Sequence, residues 1–322
     1  MGRRHRGRSA AVLQGSSRDR ILREQNPVLR TNTAWLDSLS PWPREFGLEG
    51  MRALLEELGS PQAAYPAIHV VGTNGKSTAA VTIEQLLLSE GLSVGTTISP
   101  HVASWSERIR IDGHETDFEA VVQVVRAPAE RLDPTQFEIV TAAALRAFAD
   151  ANVDVAVVEA GLGGRLDATN VLHTRVVLLT NVDLEHTEVL GETRDEIARE
   201  KLAVVQQRSI VVLPDDEWLH LVPDRDVRIG GAREAAEAFV GHAIAADVDA
   251  FLPGRLERRG AEIRDGAHNP HGARFLVERL TPANWTIVAS ILGDKNADEM
   301  LRILRGAGDT LEIGRASCRE RV

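Results

Sequence analysis

From about residue 33, the hydrophobic pattern of the chain alternates between two periods. Short β-branched runs, typical of buried strands, are separated by segments whose apolar residues recur at helical spacing. The predicted strands are IHVV (68–71), LSVGTTIS (92–99), SERIRIDG (106–113), VDVAVVEAG (153–161), RVVLLTNVD (175–183) and SIVVLP (209–214). The predicted helices cover 47–59, 79–87, 117–127, 136–151, 193–207 and 232–244. This alternation predicts an α/β fold with a mostly parallel sheet and helices on both faces.

A glycine-rich turn joins the strand IHVV to the helix that follows it. Its residues are Gly72, Thr73, Asn74, Gly75, Lys76, Ser77 and Thr78. Glycines let the backbone approach a ligand closely, and the first free N–H groups of a helix attract an anion. Lys76 adds a positive charge, and Ser77 or Thr78 offers a hydroxyl to a metal or a phosphate. The turn is a shortened form of the phosphate-binding loop, since Val70 stands where the full pattern has glycine; the alternative is a turn that binds nothing.

The pattern also divides the chain into segments. It weakens beyond about residue 208, where 215–231 is rich in turn residues, and 251–257 has the composition of a connector. We predict a P-loop ATPase domain over 33–248 and a smaller, apparently truncated α/β domain over 249–311. Residues 1–32 are predicted to be a disordered basic tail, with RNA or membrane binding as the alternative, and 312–322 to be foreign to the fold.

Composition narrows the class of protein. A net charge of −10 over 322 residues argues against a nucleic-acid binder. No run of eighteen apolar residues and no signal sequence is present, which predicts a soluble, cytoplasmic protein without a membrane partner. The chain has only three lysines, Lys76, Lys201 and Lys295, whereas arginine supplies nearly all its positive charge. Lysines kept in such a chain are expected to serve chemistry that arginine cannot perform.

Several polar residues fall at the predicted ends of strands, where open α/β sheets bind ligands. Ser99, Pro100 and His101 follow one strand, and Glu159 ends another. A carboxylate beside a phosphate-binding turn is well placed for Mg²⁺, which prefers oxygen ligands and retained waters. Glu159 could equally cap a helix or pair with a cation. A further strand is followed, in order, by Asp183, Glu185, His186 and Lys201.

These signals occur together in one known family. The chain resembles the folylpolyglutamate synthase/dihydrofolate synthase branch of the Mur ligase superfamily from about Trp35 to Leu311. The resemblance is carried by FGLEGMRALLEELGSPQ, HVVGTNGKST, TISPHVASWSERIRIDG, FEIVTAAAL, VVEAGLGGRLDATN, TNVDLEHTEVLGETRDEIAREK, LPGRLER and RDGAHNPHG. It implies an ATP-dependent amide ligase that joins L-glutamate to a folate or dihydropteroate carboxylate through an acyl phosphate. The implied ligands are ATP, Mg²⁺, glutamate and a pteroate or folate, and we expect a monomer.

The resemblance also implies roles for individual residues. The loop from Gly72 to Thr78 would hold the phosphates of ATP, and Lys201 would be carbamylated beside a metal. Metal ligands would be Thr78, Ser99, Glu159 and His186. Nucleotide contacts would come from Lys76, Arg255 and Asp265, and substrate contacts from Ser99, Pro100, His101, His268 and Asn269. The implied catalytic residues are Lys76, His186, Lys201 and Arg255.

The chain departs from the family pattern at a few positions. Ser77 and Thr78 replace the usual Gly-Ser after the loop lysine, and Glu185 replaces an aspartate. Arg233 and Glu234 stand near the place of an asparagine that reads adenine. Two other functions therefore stay open at this point: a Mur-type ligase of peptidoglycan precursors, and a nucleotide-binding protein with weakened catalysis. The motifs GLGGRLDATN and DGAHNP favour the folate branch.

Overall fold

A computed structural model describes residues 31–40, 46–281, 283–292 and 295–314 of the chain. It begins with helices α1 (Asn32–Asp37) and α2 (Glu49–Glu57). Thr31, which was predicted to lie in the tail, caps α1 by accepting a hydrogen bond from the amide of Ala34. Residues 1–30 of the predicted tail lie outside the described residues.

The main sheet contains eight strands within the described residues. They are β1 (Ala67–Val71), β2 (Val94–Thr97), β3 (Ile109–Ile111), β4 (His114–Glu115), β5 (Val155–Glu159), β6 (Thr174–Leu179), β7 (Ile210–Leu213) and β8 (Asp226–Ile229). Their spatial order is β4-β3-β2-β5-β1-β6-β7-β8. Strands β2, β5, β1, β6, β7 and β8 run parallel, whereas β3 and β4 add antiparallel pairs at one edge. The predicted α/β fold with a mostly parallel sheet is confirmed.

Helices cover both faces of this sheet. They are α3 (Lys76–Ser89), α4 (Phe118–Leu132), α5 (Gln136–Ala151), α6 (Thr187–Leu190), α7 (Arg194–Lys201) and α8 (Ala232–Val240). On one face α3 and α8 pack together over β1, β5 and β6. On the other face, α2, α4 and α5 cover the β2–β5 half and α7 covers the β6–β7 half. Strands β1 and β5 are buried at every position, as their continuous apolar sequence predicts.

Several sequence-based interpretations of element bounds are wrong. The predicted strand 106–113 is a short 3-10 helix (Trp105–Arg108) followed by β3, and the helix predicted over 193–207 ends at Lys201. The segment 215–231 was predicted to be turns, yet it contains β8, which pairs in parallel with β7 from Asp226 to Ile229. The helix predicted over 117–127 continues to Leu132, with Pro128 inside it. Strand β8 lies at the sheet edge and is only partly buried, so its residues lack a clear apolar period. A proline usually ends a helix at the preceding residue, which is why the predicted helix stops before Pro128.

A smaller α/β segment follows residue 249. Strands β9 (Glu257–Arg259) and β10 (Glu262–Arg264) form a hairpin, followed by α9 (Pro270–Arg279). Strand β11 (Thr286–Ala289) pairs in parallel with β12 (Thr310–Ile313), and α10 (Ala297–Arg305) connects them. Glu312 and Ile313, the first residues of the tail predicted to be foreign, pair with Val288 and Ala289; residues 315–322 lie outside the described residues.

Candidate active site

The loop Gly72–Thr78 leaves β1 and enters α3 at the centre of the carboxyl edge of the sheet. Gly72 has φ of +148°, and a Cβ there would collide with the hydroxyl of Thr180. Gly75, the N-cap of α3, also has a positive φ of +79°. Two positions of the loop thus require glycine. This geometry lets the first N–H groups of α3 face whatever anion the loop holds.

Lys76 lies back over the loop in this structure. Its Nζ donates to the carbonyl of Gly72 at 3.0 Å and to that of Thr73 at 3.2 Å. The loop is also tied to the end of β6, because Asn181 accepts from the amides of Thr73 and Asn74 at 3.0 and 2.9 Å. The ammonium of Lys76 is therefore held at the mouth of the loop, where it can turn toward a phosphate.

Ser77 and Ser99 meet on the carboxylate of Glu159, which ends β5. Oε2 of Glu159 accepts from the hydroxyl of Ser77 at 2.8 Å and from the amide of Ser99 at 2.9 Å. The Glu159 side chain is almost fully buried, and burial raises its pKa against the opposing charge of Lys76. Thr78, which was predicted to hold the metal, is exposed on the next position of α3. The hydroxyl that faces Glu159 is that of Ser77.

These donors fit Mg²⁺ in a particular way. Among the described residues, no group of three or more His, Cys, Asp or Glu side chains is arranged to hold a metal ion. Mg²⁺ usually takes one or two carboxylates and completes its shell with waters and substrate phosphates. One buried carboxylate beside a serine hydroxyl and a phosphate-binding loop matches that donor set. Glu159 and Ser77 fit this set, whereas Ser99 meets Glu159 through its backbone amide and its role as a ligand stays a prediction.

Lys201, the last residue of α7, lies on the other side of the loop. Its Nζ donates to the carbonyl of Gly72 at 3.0 Å and pairs with Oε1 of Glu185 at 2.9 Å. The side chain is buried, and burial lowers the pKa of Lys201. Burial alone would raise the pKa of Glu185, but the charges of Lys201 and Lys76 outweigh it and lower that pKa. A buried cation thus touches the same glycine carbonyl as Lys76.

A glycine positions Lys201. Gly164 approaches the end of α7 so closely that a Cβ would lie 2.5 Å from the carbonyl oxygen of Lys201 and 2.8 Å from that of Glu200. The preceding loop is fixed by Asp167, which is buried and accepts from the amides of Leu162 and Thr169. The segment GLGGRLDATN therefore works as a packing surface for the lysine-bearing helix.

His186 follows β6 at the carboxyl edge of the sheet. Its side chain makes no hydrogen bond to Glu159, Ser77 or Ser99. It has a left-handed backbone with φ of +45° and caps the short helix α6. Its Nδ1 lies 3.9 Å from Oε1 of Glu188, and burial lowers its pKa. No hydrogen bond joins its ring to another described residue, so its predicted role as a metal ligand stays a prediction.

The segment after residue 249 contributes contacts from the other side. Asn269 donates from Nδ2 to Oδ1 of Asn74 at 2.9 Å, and Nδ1 of His271 lies 3.1 Å from Nδ2 of Asn74. Asp265 accepts backbone hydrogen bonds from Leu256 and Ala267, both at 2.9 Å. The DGAHNPH segment (265–271) thus contacts Asn74 of the phosphate-binding loop through two side chains. His271 was not among the predicted site residues, although its place in HNPHG was visible.

Two predicted residues of this segment are placed differently from Asn269. Arg255 lies near enough to Glu159 for its charge to act against the rise in the pKa of that carboxyl, though less than the charge of Lys76 and the hydrogen bonds from Ser99 and Ser77, and burial outweighs them all. His268 is exposed, and its Nδ1 donates to the carbonyl of Gly266 at 3.1 Å. Arg255 is therefore brought toward the cluster, whereas His268 borders it.

The loop after β2 forms a compact structure that sequence reasoning described only in part. The carboxylate of Glu107 accepts from the amides of Val102, Ala103 and Ser104 at 2.7 to 2.8 Å. Nε of Arg108 donates to Nδ1 of His101 at 2.8 Å. Both charged side chains are buried. Their order, two charges directly before the strand IRI, was the only sequence signal for them.

Arg233 and Glu234 stand near the place of the expected adenine-reading asparagine. The side chains of both form hydrogen bonds to backbone groups. Arg233 donates to the carbonyls of Ile244 and Ala246, both at 2.8 Å, and Glu234 accepts from the amide of Gly231.

A cleft of about 370 Å³ opens beside the phosphate-binding loop, and both Asn181 and His271 line it. Small-molecule sites have volumes in this range.

Comparisons with known proteins agree on one family. The model of the Mur ligase middle domain matches residues 70–237. A dihydrofolate synthase/folylpolyglutamate synthase of Mycobacterium tuberculosis is 31% identical, over 84% of this chain and 75% of its own length. The folylpolyglutamate synthase of M. tuberculosis complexed with ADP superposes with a TM-score of 0.79 at 30% identity, covering 89% of this chain and 82% of that chain.

A second solved structure adds its ligands to the comparison. It is a bifunctional folylpolyglutamate synthase/dihydrofolate synthase with Mn, AMPPNP and L-glutamate bound, 29% identical, with a TM-score of 0.73 over 87% of this chain and 81% of that chain. The family model matches more than half of the chain, and the M. tuberculosis relative covers most of it at 31% identity. The chain belongs to the folylpolyglutamate synthase/dihydrofolate synthase family of the Mur ligase superfamily.

Proposed function

We propose that the protein is an acid–amino-acid ligase, which uses ATP to join L-glutamate to a carboxylate of a folate or dihydropteroate. The observation that carries this proposal is the meeting of Ser77, Ser99 and Glu159 beside Lys76, at the edge where Asn74 contacts the DGAHNPH segment. The relatives support the choice of reaction, because their names state these synthase activities and one was solved with a nucleotide, Mn and L-glutamate.

The reaction requires two group transfers. An oxygen of the acceptor carboxylate attacks the γ-phosphorus of ATP, and the bond from that phosphorus to the β,γ-bridging oxygen breaks, so ADP leaves. The amino group of glutamate then attacks the acyl carbon, the bond to the phosphate oxygen breaks, and the amine loses a proton. Positioning and charge stabilisation supply most of the catalysis in such phosphoryl transfers.

The protein's own residues divide this work. The loop amides and Lys76 bind the phosphates, and Arg255 adds positive charge from the connector side. Asp265 accepts the ribose hydroxyls, while Asn269 and His268 border the entry of glutamate. Glu159, Ser77 and Ser99 would hold Mg²⁺, with His186 as the predicted ligand of a second ion. When bound, Mg²⁺ neutralises phosphate charge.

Lys201 has a separate role in this proposal. Carbamylation joins an unprotonated amine to CO₂ and releases a proton, and burial of Lys201 favours the unprotonated amine. The resulting carbamate would place an anion next to Gly72 of the loop. Lys201→Ala is expected to abolish ligation, and short carboxylates added to that variant are expected to restore part of it. Undiminished activity in Lys201→Ala would remove this role.

The decisive experiment measures incorporation of labelled glutamate into dihydropteroate and into tetrahydrofolate, with ATP and Mg²⁺. Omission of each substrate in turn is the control. Glutamate incorporated into either acceptor, with one ADP formed per amide bond, is the expected result and also names the acceptor. ATP hydrolysis that does not depend on glutamate, without any amide product, would contradict the proposal.

Two further properties stay predictions from the sequence: a monomeric state and a cytoplasmic location. Within the described part of the chain, no helix has the length and apolar character needed to cross a membrane.

A further inference from the structure

Arg108 is a buried cation whose donors are mostly unused. Arg108 is only 4% exposed. Among the described residues its side chain makes one hydrogen bond, which Nε donates to Nδ1 of His101 at 2.8 Å. Within the described residues, no acceptor receives a hydrogen bond from Nη1 or Nη2. Nη1 and Nη2 are not among the buried polar atoms that lack a partner, so these two nitrogens reach solvent. A guanidinium has five N–H donors, and a ligand that displaced this solvent could accept from those that face it.

The guanidinium is held in a fixed orientation by aromatic side chains. It lies 4.5 Å from the ring centroid of Trp105, which in turn stacks on Phe118 with centroids 5.5 Å apart. Nε1 of Trp105 donates to Oδ1 of Asp37 at 3.2 Å. Stacking on an indole orients the planar fork and leaves its edge available for hydrogen bonds.

The neighbouring acid cannot satisfy this cation. Glu107 is buried next to Arg108 in sequence, yet its carboxylate is used by the amides of Val102, Ala103 and Ser104. Three backbone donors fix the loop and leave Glu107 turned toward its own backbone. The loop therefore presents Arg108 without a direct ion-pair partner among the described residues.

Arg108 faces the edge of the sheet where Glu159 lies. The carbonyl of Arg108 accepts from the amide of Ile98 at 3.2 Å, and the next residue along, Ser99, donates to Glu159. Burial lowers the pKa of Arg108 to about 10, and Glu159 is the acid that opposes this effect most strongly. The guanidinium thus lies close enough to Glu159 for the two charges to interact.

His101 adjoins the guanidinium and carries a further N–H donor. Because Nε of Arg108 can only donate, Nδ1 of His101 must accept, and its proton therefore sits on Nε2. His101 also contacts Trp105, with ring centroids 4.6 Å apart. A guanidinium fork next to an imidazole N–H matches the two oxygens of a carboxylate.

We propose that Arg108, helped by His101, binds the acceptor carboxylate to which glutamate is joined. This inference rests on the proposed ligase function. Arg108 holds the carboxylate so that one oxygen points at the γ-phosphorus, and after phosphoryl transfer its charge offsets that of the acyl phosphate. Lysine could not replace it fully, since an ammonium lacks the planar pair of donors.

The test compares binding of an acceptor with binding of its amide at the reacting carboxyl. Pteroate and pteroate carboxamide are titrated into the full chain and into Arg108→Met, Arg108→Lys and Arg126→Met. Arg126 is the matched control, because its guanidinium lies 4.9 Å from the ring centroid of Trp35 and contacts Asn32 and Glu130 instead of the site. Thermal unfolding checks that each variant is folded.

We expect the wild-type protein and Arg126→Met to bind the acid about 10- to 100-fold more tightly than the amide. Arg108→Met should lose this preference and Arg108→Lys should keep part of it, with the KM for ATP unchanged in both. If folded Arg108→Met, or Arg108→Lys should the methionine variant not fold, retains the full preference, the role of Arg108 is overturned. If the wild-type protein ligates but binds acid and amide equally, the inference fails and the proposed function stands. If the wild-type protein forms no amide product, both fail.

Discussion

The hydroxyl of Ser77 donates to Oε2 of Glu159 at 2.8 Å, which joins the first turn of α3 to the end of β5 across 82 positions of the chain. This bond exists because β1 and β5 are parallel neighbours whose register pairs Val70 with Glu159. The helix that follows β1 therefore begins directly over the carboxylate. Rotation by one helical residue turns a side chain by about 100°, so Ser77 and Thr78 cannot both face Glu159.

Ser77→Ala is expected to weaken the binding of Mg²⁺ that we propose for this site. Loss of a hydroxyl that holds the metal or its carboxylate ligand should raise the Mg²⁺ concentration for half-maximal activity by about 10- to 100-fold. Thr78→Ala, which changes an exposed side chain on the same turn, should shift it by less than about threefold. Metal titrations of the ligation rate measure both. A larger shift in Thr78→Ala than in Ser77→Ala would reverse the assignment.

Gly164→Ala is expected to damage the protein through Lys201. The new Cβ would meet the backbone carbonyls of Lys201 and Glu200, at 2.5 and 2.8 Å, which cannot rotate away. Overpacking of this kind typically costs about 1–3 kcal/mol in the free energy of unfolding. It should also move the Lys201 ammonium relative to Gly72 and lower kcat. Urea unfolding and the ligation rate measure the two effects.

The matched control for this change is Gly231→Ala. A Cβ at Gly231 has no neighbour within 4 Å, and the residue does not have a positive φ. Because Gly231 is the N-cap of α8 and alanine is a poorer N-cap than glycine, we expect the free energy of unfolding to fall, but by less than about 1 kcal/mol. Equal destabilisation of the two variants would show that contact with the end of α7 is not the cause.

Local patterns in the sequence were sufficient to predict the sheet class and the edge at which the site forms. The continuous apolar runs of β1 and β5 identify buried parallel strands, and the polar residues that follow them must then meet. The scarcity of lysine pointed to Lys76 and Lys201, and the structure brings both onto the carbonyl of Gly72. The roles of these residues in catalysis stay predictions.

Other features depend on contacts that no local pattern encodes. Strand β8 is polar and partly exposed, so its four residues lack the periodicity of a buried strand. Whether Ser77 or Thr78 faces Glu159 depends on where α3 begins, which is decided by the left-handed backbone at Gly75. The burial of Arg108 depends on Trp105 and on Phe118 of another helix. Such pairings follow from the fold and cannot be read from residues in one segment.

Acidification is expected to destabilise the fold through His69. This histidine lies within β1, fully buried, and burial lowers its pKa to about 3. Its Nε2 is 2.8 Å from the hydroxyl of Thr169, and its Nδ1 has no partner among the described residues. Below about pH 6.5 the unfolded chain binds a proton at this site and the folded chain does not. Stability from this group is therefore complete above pH 6.5 and falls toward pH 3, by about 1.4 kcal/mol per pH unit.

His69→Gln separates this effect from the titration of the carboxylates. The Nε2 amide of glutamine extends about as far as the imidazole Nε2, so it can still hydrogen-bond to Thr169, and it does not titrate. Between pH 7 and pH 5 the variant should lose about 2 kcal/mol less unfolding free energy than the wild-type protein. Urea unfolding at both values measures the difference. Equal losses would mean that His69 is protonated in the folded state as readily as in the unfolded chain.

Asn269 connects the phosphate-binding loop to the second α/β segment, and two substitutions separate its two contacts. Its Oδ1 caps α9 by accepting from the amide of Gly272 at 2.8 Å, and its Nδ2 donates to Asn74. Asn269→Asp keeps the acceptor and loses the donor, and its charge would face Oδ1 of Asn74. We expect it to fold with near wild-type stability and to raise the KM for ATP by about tenfold, since the loss of one hydrogen bond and the new repulsion amount to about 1.4 kcal/mol.

Asn269→Ala removes both contacts and gives the comparison. Loss of the N-cap should lower the free energy of unfolding by about 0.5–2 kcal/mol in addition to weakening nucleotide binding. Thermal unfolding with and without ADP measures the two effects together, because ADP should stabilise the wild-type protein more than either variant. If Asn269→Asp is stabilised by ADP as strongly as the wild-type protein, the Asn74 contact does not support nucleotide binding, and Asn269 serves only as the cap of α9.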